Sequence, residues 1–210
     1  MYSILCFGDS NTYGEKASGG RFARDERWTG ILQELLGEDY YIIEEGLGGR
    51  TTLFDDEIEE YKNGKKYLIP CLNSHKPLDL VILMLGTNDL KNRFALSPLD
   101  IEFAMENLVK TIKSTDCFYN QKSKEILIIS PIAIGKLTLL KDILMGAVEK
   151  SKELPVHYER LCIRENIHFM NAGDFAKPDE QDGIHLDSLG HRNLANAIAA
   201  KIKSILNEEK

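Results

Sequence analysis

Residues 78–85 read Leu-Asp-Leu-Val-Ile-Leu-Met-Leu, apolar throughout except for Asp79, and they are bracketed by Pro77 and Gly86. A run this short and this uniform suits a strand covered on both faces, which is the environment of a parallel sheet held between two layers of helices. That one strand restricts the rest of the chain to supplying similar strands beside it and helices above and below. Residues 2–7, 40–44, 125–130 and 167–171 are the candidate neighbours. Between them, residues 27–37 carry apolar side chains at helical spacing, with Gly37 as the stop. Ser97-Pro98 opens a helix through about residue 113, striped by Ile101, Met105, Leu108 and Ile112. Residues 145–165 form another long helix, which Pro155 is expected to break or bend. Asp187 or Ser188 caps a final helix with Leu194, Ile198, Ile202 and Ile205 on one face. Residues 55–75 are polar and helical in parts. This alternation predicts an α/β chain: a three-layer α/β/α sandwich around a five-stranded parallel sheet of flavodoxin-like order, with right-handed crossovers.

At 210 residues without a linker-like tract, the chain is expected to form one domain. The net charge of -7 and pI near 5.3 exclude the concentrated basic surface that phosphate backbones need, so no nucleic-acid partner is expected. No apolar stretch is long enough to span a bilayer. The first apolar residues run directly into a motif rather than forming a leader, and the cysteines Cys6, Cys71, Cys117 and Cys162 are widely spaced without a Cys-x-x-Cys pair. A cytoplasmic protein with reduced thiols, no disulfide, no zinc or other metal and no cofactor is the expectation.

Four short motifs stand beside apolar runs or open helical ones. The first strand ends in Gly8-Asp9-Ser10, the second in Gly46-Leu47-Gly48-Gly49-Arg50, and the third in Gly86-Thr87-Asn88-Asp89; the loop before the last helix carries Asp182-Gly183-Ile184-His185. In an open parallel sheet the carboxyl ends of the strands form the ligand-binding rim, which brings these loops together. A serine hydroxyl needs a base, and the base needs a partner to orient it; Asp182 and His185 can supply both to Ser10. Acyl transfer also needs donors for the oxyanion, and Ser10 N–H, Gly49 N–H and the Asn88 amide are candidates that bring no titrating charge. His75, His157, His168 and His191 lack an aspartate three residues earlier in a glycine-containing loop.

The set of motifs resembles the SGNH (GDSL-like) hydrolase family over nearly the whole chain, with Ser10, Gly49, Asn88 and His185 at the positions of its four blocks. Residues 27–30, 44–52 and 83–89 look like the bacterial arylesterase/acyltransferase branch. The resemblance implies the SGNH fold and a serine esterase mechanism. It assigns Ser10 as nucleophile, His185 and Asp182 as the rest of the triad, and Ser10, Gly49 and Asn88 as oxyanion donors. It further implies small ester substrates with short acyl groups, acyl transfer to alcohols, no cofactor and a homo-oligomer. Asn11 stands where the family name has leucine.

Trp28, Phe54, Phe94 and Ile184 are candidates for an acyl pocket, and Arg50 is read as a structural donor. Carbohydrate acetylesterase, lysophospholipase and thioesterase share this chemistry and differ in pocket shape. Outside enzymes, a flavodoxin-like sheet with Ser10 and Thr12 in its first loop could bind a phosphate or flavin, or a relic of the site could bind carbohydrate without catalysis.

Overall fold

The computed structural model describes residues 1–207. Five strands, β1 (Tyr2–Gly8), β2 (Tyr40–Gly46), β3 (Leu80–Met84), β4 (Glu125–Ser130) and β5 (His168–Asn171), form one parallel sheet in the order β2-β1-β3-β4-β5. This is the flavodoxin-like order expected from the sequence. The chain reverses direction across the sheet between β2 and β3, so β1 and β3 are neighbours and their carboxyl ends lie side by side.

Side chains along each central strand alternate between two cores. Leu5, Phe7, Val81, Leu83, Ile126 and Ile128 face one layer of helices, α3 (Gly64–His75), α4 (Pro98–Lys113) and α5 (Ala147–Glu165). Ile4, Cys6, Leu80, Ile82, Met84, Leu127 and Ile129 face the other, α2 (Trp28–Leu36) and α6 (Ser188–Asn207). All five residues of β3 are buried, as a strand between two helical layers requires. The reading of residues 78–85 as the central strand therefore stands.

Local sequence accounts for most boundaries. Ser97 and Asp100 form a reciprocal capping box at the start of α4, with Pro98 in its first turn. At α6, Asp187 accepts from Gly190 N–H through its side chain and from His191 N–H through its backbone. Three features differ from expectation. α5 runs unbroken through Pro155, because proline removes only one ladder bond and the buried Leu154, Tyr158 and Leu161 anchor the helix on both sides. β2 continues to Gly46, in register with Gly8. Residues Ser10–Tyr13 form a single helical turn, α1, directly after the first strand. Among the described residues, no helix is long and apolar enough to cross a membrane.

Candidate active site

Asp9 caps α1, its Oδ1 accepting from Asn11 N–H at 3.0 Å, and Ser10 is the first residue of that turn. Burial pushes the Asp9 carboxyl up to about 6, and its Oδ2 has no hydrogen-bond partner. The second loop is stitched beneath it: Leu47 N–H donates to Gly8 O, and Arg50 Nη1 donates to Gly8 O at 2.8 Å and to Glu45 O. The Arg50 guanidinium also lies 4.1 Å over the Phe7 ring, so this buried arginine acts as a structural donor. Gly49 turns with φ +79°, a left-handed conformation that calls for glycine, and only the movable ends of the Glu59 and Lys62 side chains lie near the space of a Cβ there.

The third loop is joined to the second by Asp89, whose carboxylate accepts from Thr52 N–H at 3.1 Å and from the Thr52 hydroxyl. Burial pushes the Asp89 carboxyl up to about 6 despite these donors. Gly86, at φ +127°, lets the chain leave β3 against Tyr158, whose hydroxyl donates to Leu85 O at 3.0 Å. Asn88 follows, and its Nδ2 is buried with no hydrogen-bond partner.

In the fourth loop Asp182 folds back on its own turn. Its Oδ1 accepts from Ile184 N–H at 2.7 Å and His185 N–H at 3.0 Å, and its Oδ2 lies 2.5 Å from His185 Nδ1. Burial raises its pKa, but these backbone donors and the imidazole outweigh it and hold the carboxyl below the usual carboxylate range. An ionised Asp182 fixes the proton of His185 on Nδ1 and leaves Nε2 as the acceptor. Asn11 ties this loop to the first, donating to Ile184 O at 3.3 Å and accepting from Leu186 N–H at 2.9 Å.

Ser10, Gly49, Asn88, Ile184 and His185 line one cleft of about 190 Å³. Asp182 stands behind His185. Among the described residues no hydrogen bond joins Ser10 to His185 directly; such contacts commonly tighten only when substrate is bound. Three of the proposed pocket residues do not line this cleft. Trp28 is fully buried in the core between the sheet and α6, because the apolar stripe of α2 points inward. Phe54 and Phe94 pack on each other, ring centroids 6.1 Å apart. The apolar wall is instead built by Leu140, Ile143 and Leu144, from a loop with no periodic pattern to mark it. Glu15 also lines the cleft, its Oε2 4.0 Å from His185 Nε2, two residues after the α1 turn. Glu59 reaches the same space and is paired with Lys91 and Arg93 at 2.6 Å each. A larger hollow of about 610 Å³ beside residues 55–67 contains none of the four chemical groups.

The aryl esterase of M. smegmatis has a solved structure similar to this one, at 39% identity, with 97% of this chain and 99% of that chain covered and a TM-score of 0.91. Two structures from Sinorhizobium meliloti are comparably similar: the carbohydrate acetylesterase Est24 at 38% identity, covering 98% and 100% of the two chains with a TM-score of 0.92, and a carbohydrate acetylesterase family member at 33%, covering 99% and 100% with a TM-score of 0.94. No sequence match to a curated protein was found. The model of the GDSL-like lipase/acylhydrolase family matches residues 6–192, so with Ser10, Gly49, Asn88 and His185 all on one cleft, the chain belongs to that family.

Proposed function

We propose that this acylhydrolase is a single-domain serine esterase for small carboxylic esters, working through an acyl-enzyme on Ser10. The observation that carries the reading is the buried Asn88 amide, left without a partner in the same cleft as Ser10 and His185. A buried N–H donor without an acceptor costs about 1–3 kcal/mol, a cost relieved when a substrate oxygen arrives.

In the proposed reaction the Ser10 hydroxyl gives its proton to His185 Nε2 while Oγ attacks the acyl carbon. The carbonyl electron pair moves onto oxygen, which accepts from Ser10 N–H, Gly49 N–H and Asn88 Nδ2. Asp182 stabilises the imidazolium without taking its proton. Collapse breaks the bond to the alcohol, which leaves with the proton from Nε2. Water, or a second alcohol in acyl transfer, then repeats the sequence on the acyl-enzyme. No step needs a metal or cofactor.

A cleft of about 190 Å³ lies below the roughly 300–1,000 Å³ of pockets that enclose drug-sized ligands, which favours acetyl and similar short acyl groups over the long chains of lysophospholipids. The polar walls supplied by Glu15 and the Glu59–Lys91 pair also suit a hydroxyl-rich alcohol, so a carbohydrate acetylesterase is the second reading. Four buried free cysteines agree with a cytoplasmic setting. Assembly into a homo-oligomer is part of the proposal, to be read by light scattering.

Turnover of p-nitrophenyl acetate tests the mechanism. Ser10→Ala and His185→Ala should each lower kcat at least about 10³-fold, and retained activity in either removes the proposal. An acyl series from acetate to dodecanoate, with an acetylated sugar alongside, should show its highest kcat/KM at the short end.

A further inference from the structure

On the sheet face under α3, away from the residues of the proposed chemistry, Glu45, Cys71 and His75 bring one carboxylate oxygen, one thiol sulfur and one imidazole nitrogen within 4.8 Å of one another. We propose that these three side chains bind a divalent cation of the zinc class, joining edge strand β2 to α3. Cys71 and His75 are one helical turn apart, so both face the strand, and Glu45 reaches them from β2. His75 Nε2 lies 2.9 Å from Glu45 Oε1, and the Tyr67 hydroxyl, one turn before Cys71, lies 3.5 Å from the same oxygen. Several donors thus converge on one carboxylate.

Sulfur, imidazole nitrogen and carboxylate oxygen are the ligand types zinc selects, and tetrahedral bonds of 2.0–2.3 Å place ligand atoms about 3.5 Å apart. The observed separations, from 2.9 Å between His75 Nε2 and Glu45 Oε1 up to a limit of 4.8 Å across the three, bracket that spacing. Cys71 is 1% exposed, and without a cation its thiol is pushed up to about 12 by burial and by Glu45, partly offset by Arg50. On binding, the cation displaces the Cys71 proton to solvent, His75 ligates as neutral imidazole, and two negative ligands balance the two positive charges. Arg50 Nη1 bonds to the Gly8 and Glu45 carbonyls and not to the Glu45 carboxylate, although the guanidinium charge acts on both Glu45 and Cys71. The expectation of no zinc site rested on the spacing of cysteines from one another; the ligands pair Cys71 with His75 along a helix and recruit the third from a distant strand.

The test is Co²⁺ titration of the full chain after chelator treatment. One Co²⁺ per chain should bind with a near-ultraviolet thiolate-to-cobalt band, Zn²⁺ should displace it, and Zn²⁺ should raise Tm. Cys71→Ser should abolish the band, and His75→Gln and Glu45→Gln should each weaken binding at least about tenfold, with folding verified by Trp28 fluorescence. Ser10→Ala should bind the ion as the parent does, which separates this result from the esterase reading. Absence of the band, its persistence in Cys71→Ser, or a Tm indifferent to Zn²⁺ in the parent overturns the proposal.

Discussion

Asn11 is hydrogen-bonded to the backbone immediately before and after His185, at Ile184 O and Leu186 N, and is itself buried. It therefore ties the loop that carries His185 to the turn that carries Ser10, and in the proposed reaction it is a positioning residue for the imidazole. Leucine fills similar space but breaks both bonds. Asn11→Leu should lower kcat for p-nitrophenyl acetate about 10–100-fold with KM little changed, because a small displacement of a base costs that much. Active-site titration with a fluorophosphonate separates this from a loss of folded enzyme; an unchanged kcat per titrated site would show that Asn11 positions nothing. On the proposed mechanism, Asn88→Ala removes an oxyanion donor without removing a charge, so kcat should fall about 10²–10³-fold while Ser10 is still labelled by the probe. A loss under tenfold would exclude Asn88 from the oxyanion hole.

Among the elements, β3 and the α2–α6 pair carry different kinds of stability. Ile82 is 1% exposed in the centre of the sheet, and Ile82→Ala should cost about 2–5 kcal/mol in urea unfolding, the range for a cavity in a close-packed core. The pairing of α2 with α6 depends in addition on a proton. His191, fully buried on α6, accepts the Trp28 N–H on Nδ1 at 3.3 Å, and burial pushes its pKa down from 6.5 to about 4. The folded state therefore keeps this ring neutral, while the unfolded chain takes up a proton below pH 6.5. The stability due to neutral His191 is complete above pH 6.5 and is lost as pH falls towards 4, by about 3 kcal/mol. The stability difference between the parent and His191→Gln should shrink by that amount over the same interval. A difference independent of pH would mean that the ring is not held neutral.

At the scale of the whole molecule, both helical layers share the same five strands, so neither core can survive loss of the sheet. Trp28, the one tryptophan, reports from the α2–α6 core, whereas far-ultraviolet circular dichroism reports from every helix. The two probes should give coincident urea transitions, and fluorescence changing first would show that this layer unfolds alone.

The strands and most helices were legible in the sequence because their causes are local: an all-apolar run at residues 78–85, a Ser97–Asp100 cap, inward stripes on α4 and α6. The four motif loops were legible too, since a parallel sheet delivers successive strand ends to one rim. Local pattern misjudged Pro155, where neighbouring anchors outweigh one missing bond, and Trp28, Phe54 and Phe94, whose aromatic character says nothing about direction. It marked Asn11 only as a departure from the family name, not as a bridge between loops, and was silent on Glu15 and the wall at residues 140–144. The sequence by itself determined which chemical groups reach the sheet's edge, because periodicity and turn residues act over a few positions. Only the tertiary structure decided what surrounds those groups, because a cleft wall, a bridge between loops or a cluster such as Glu45, Cys71 and His75 is made by residues whose separation along the chain carries no pattern.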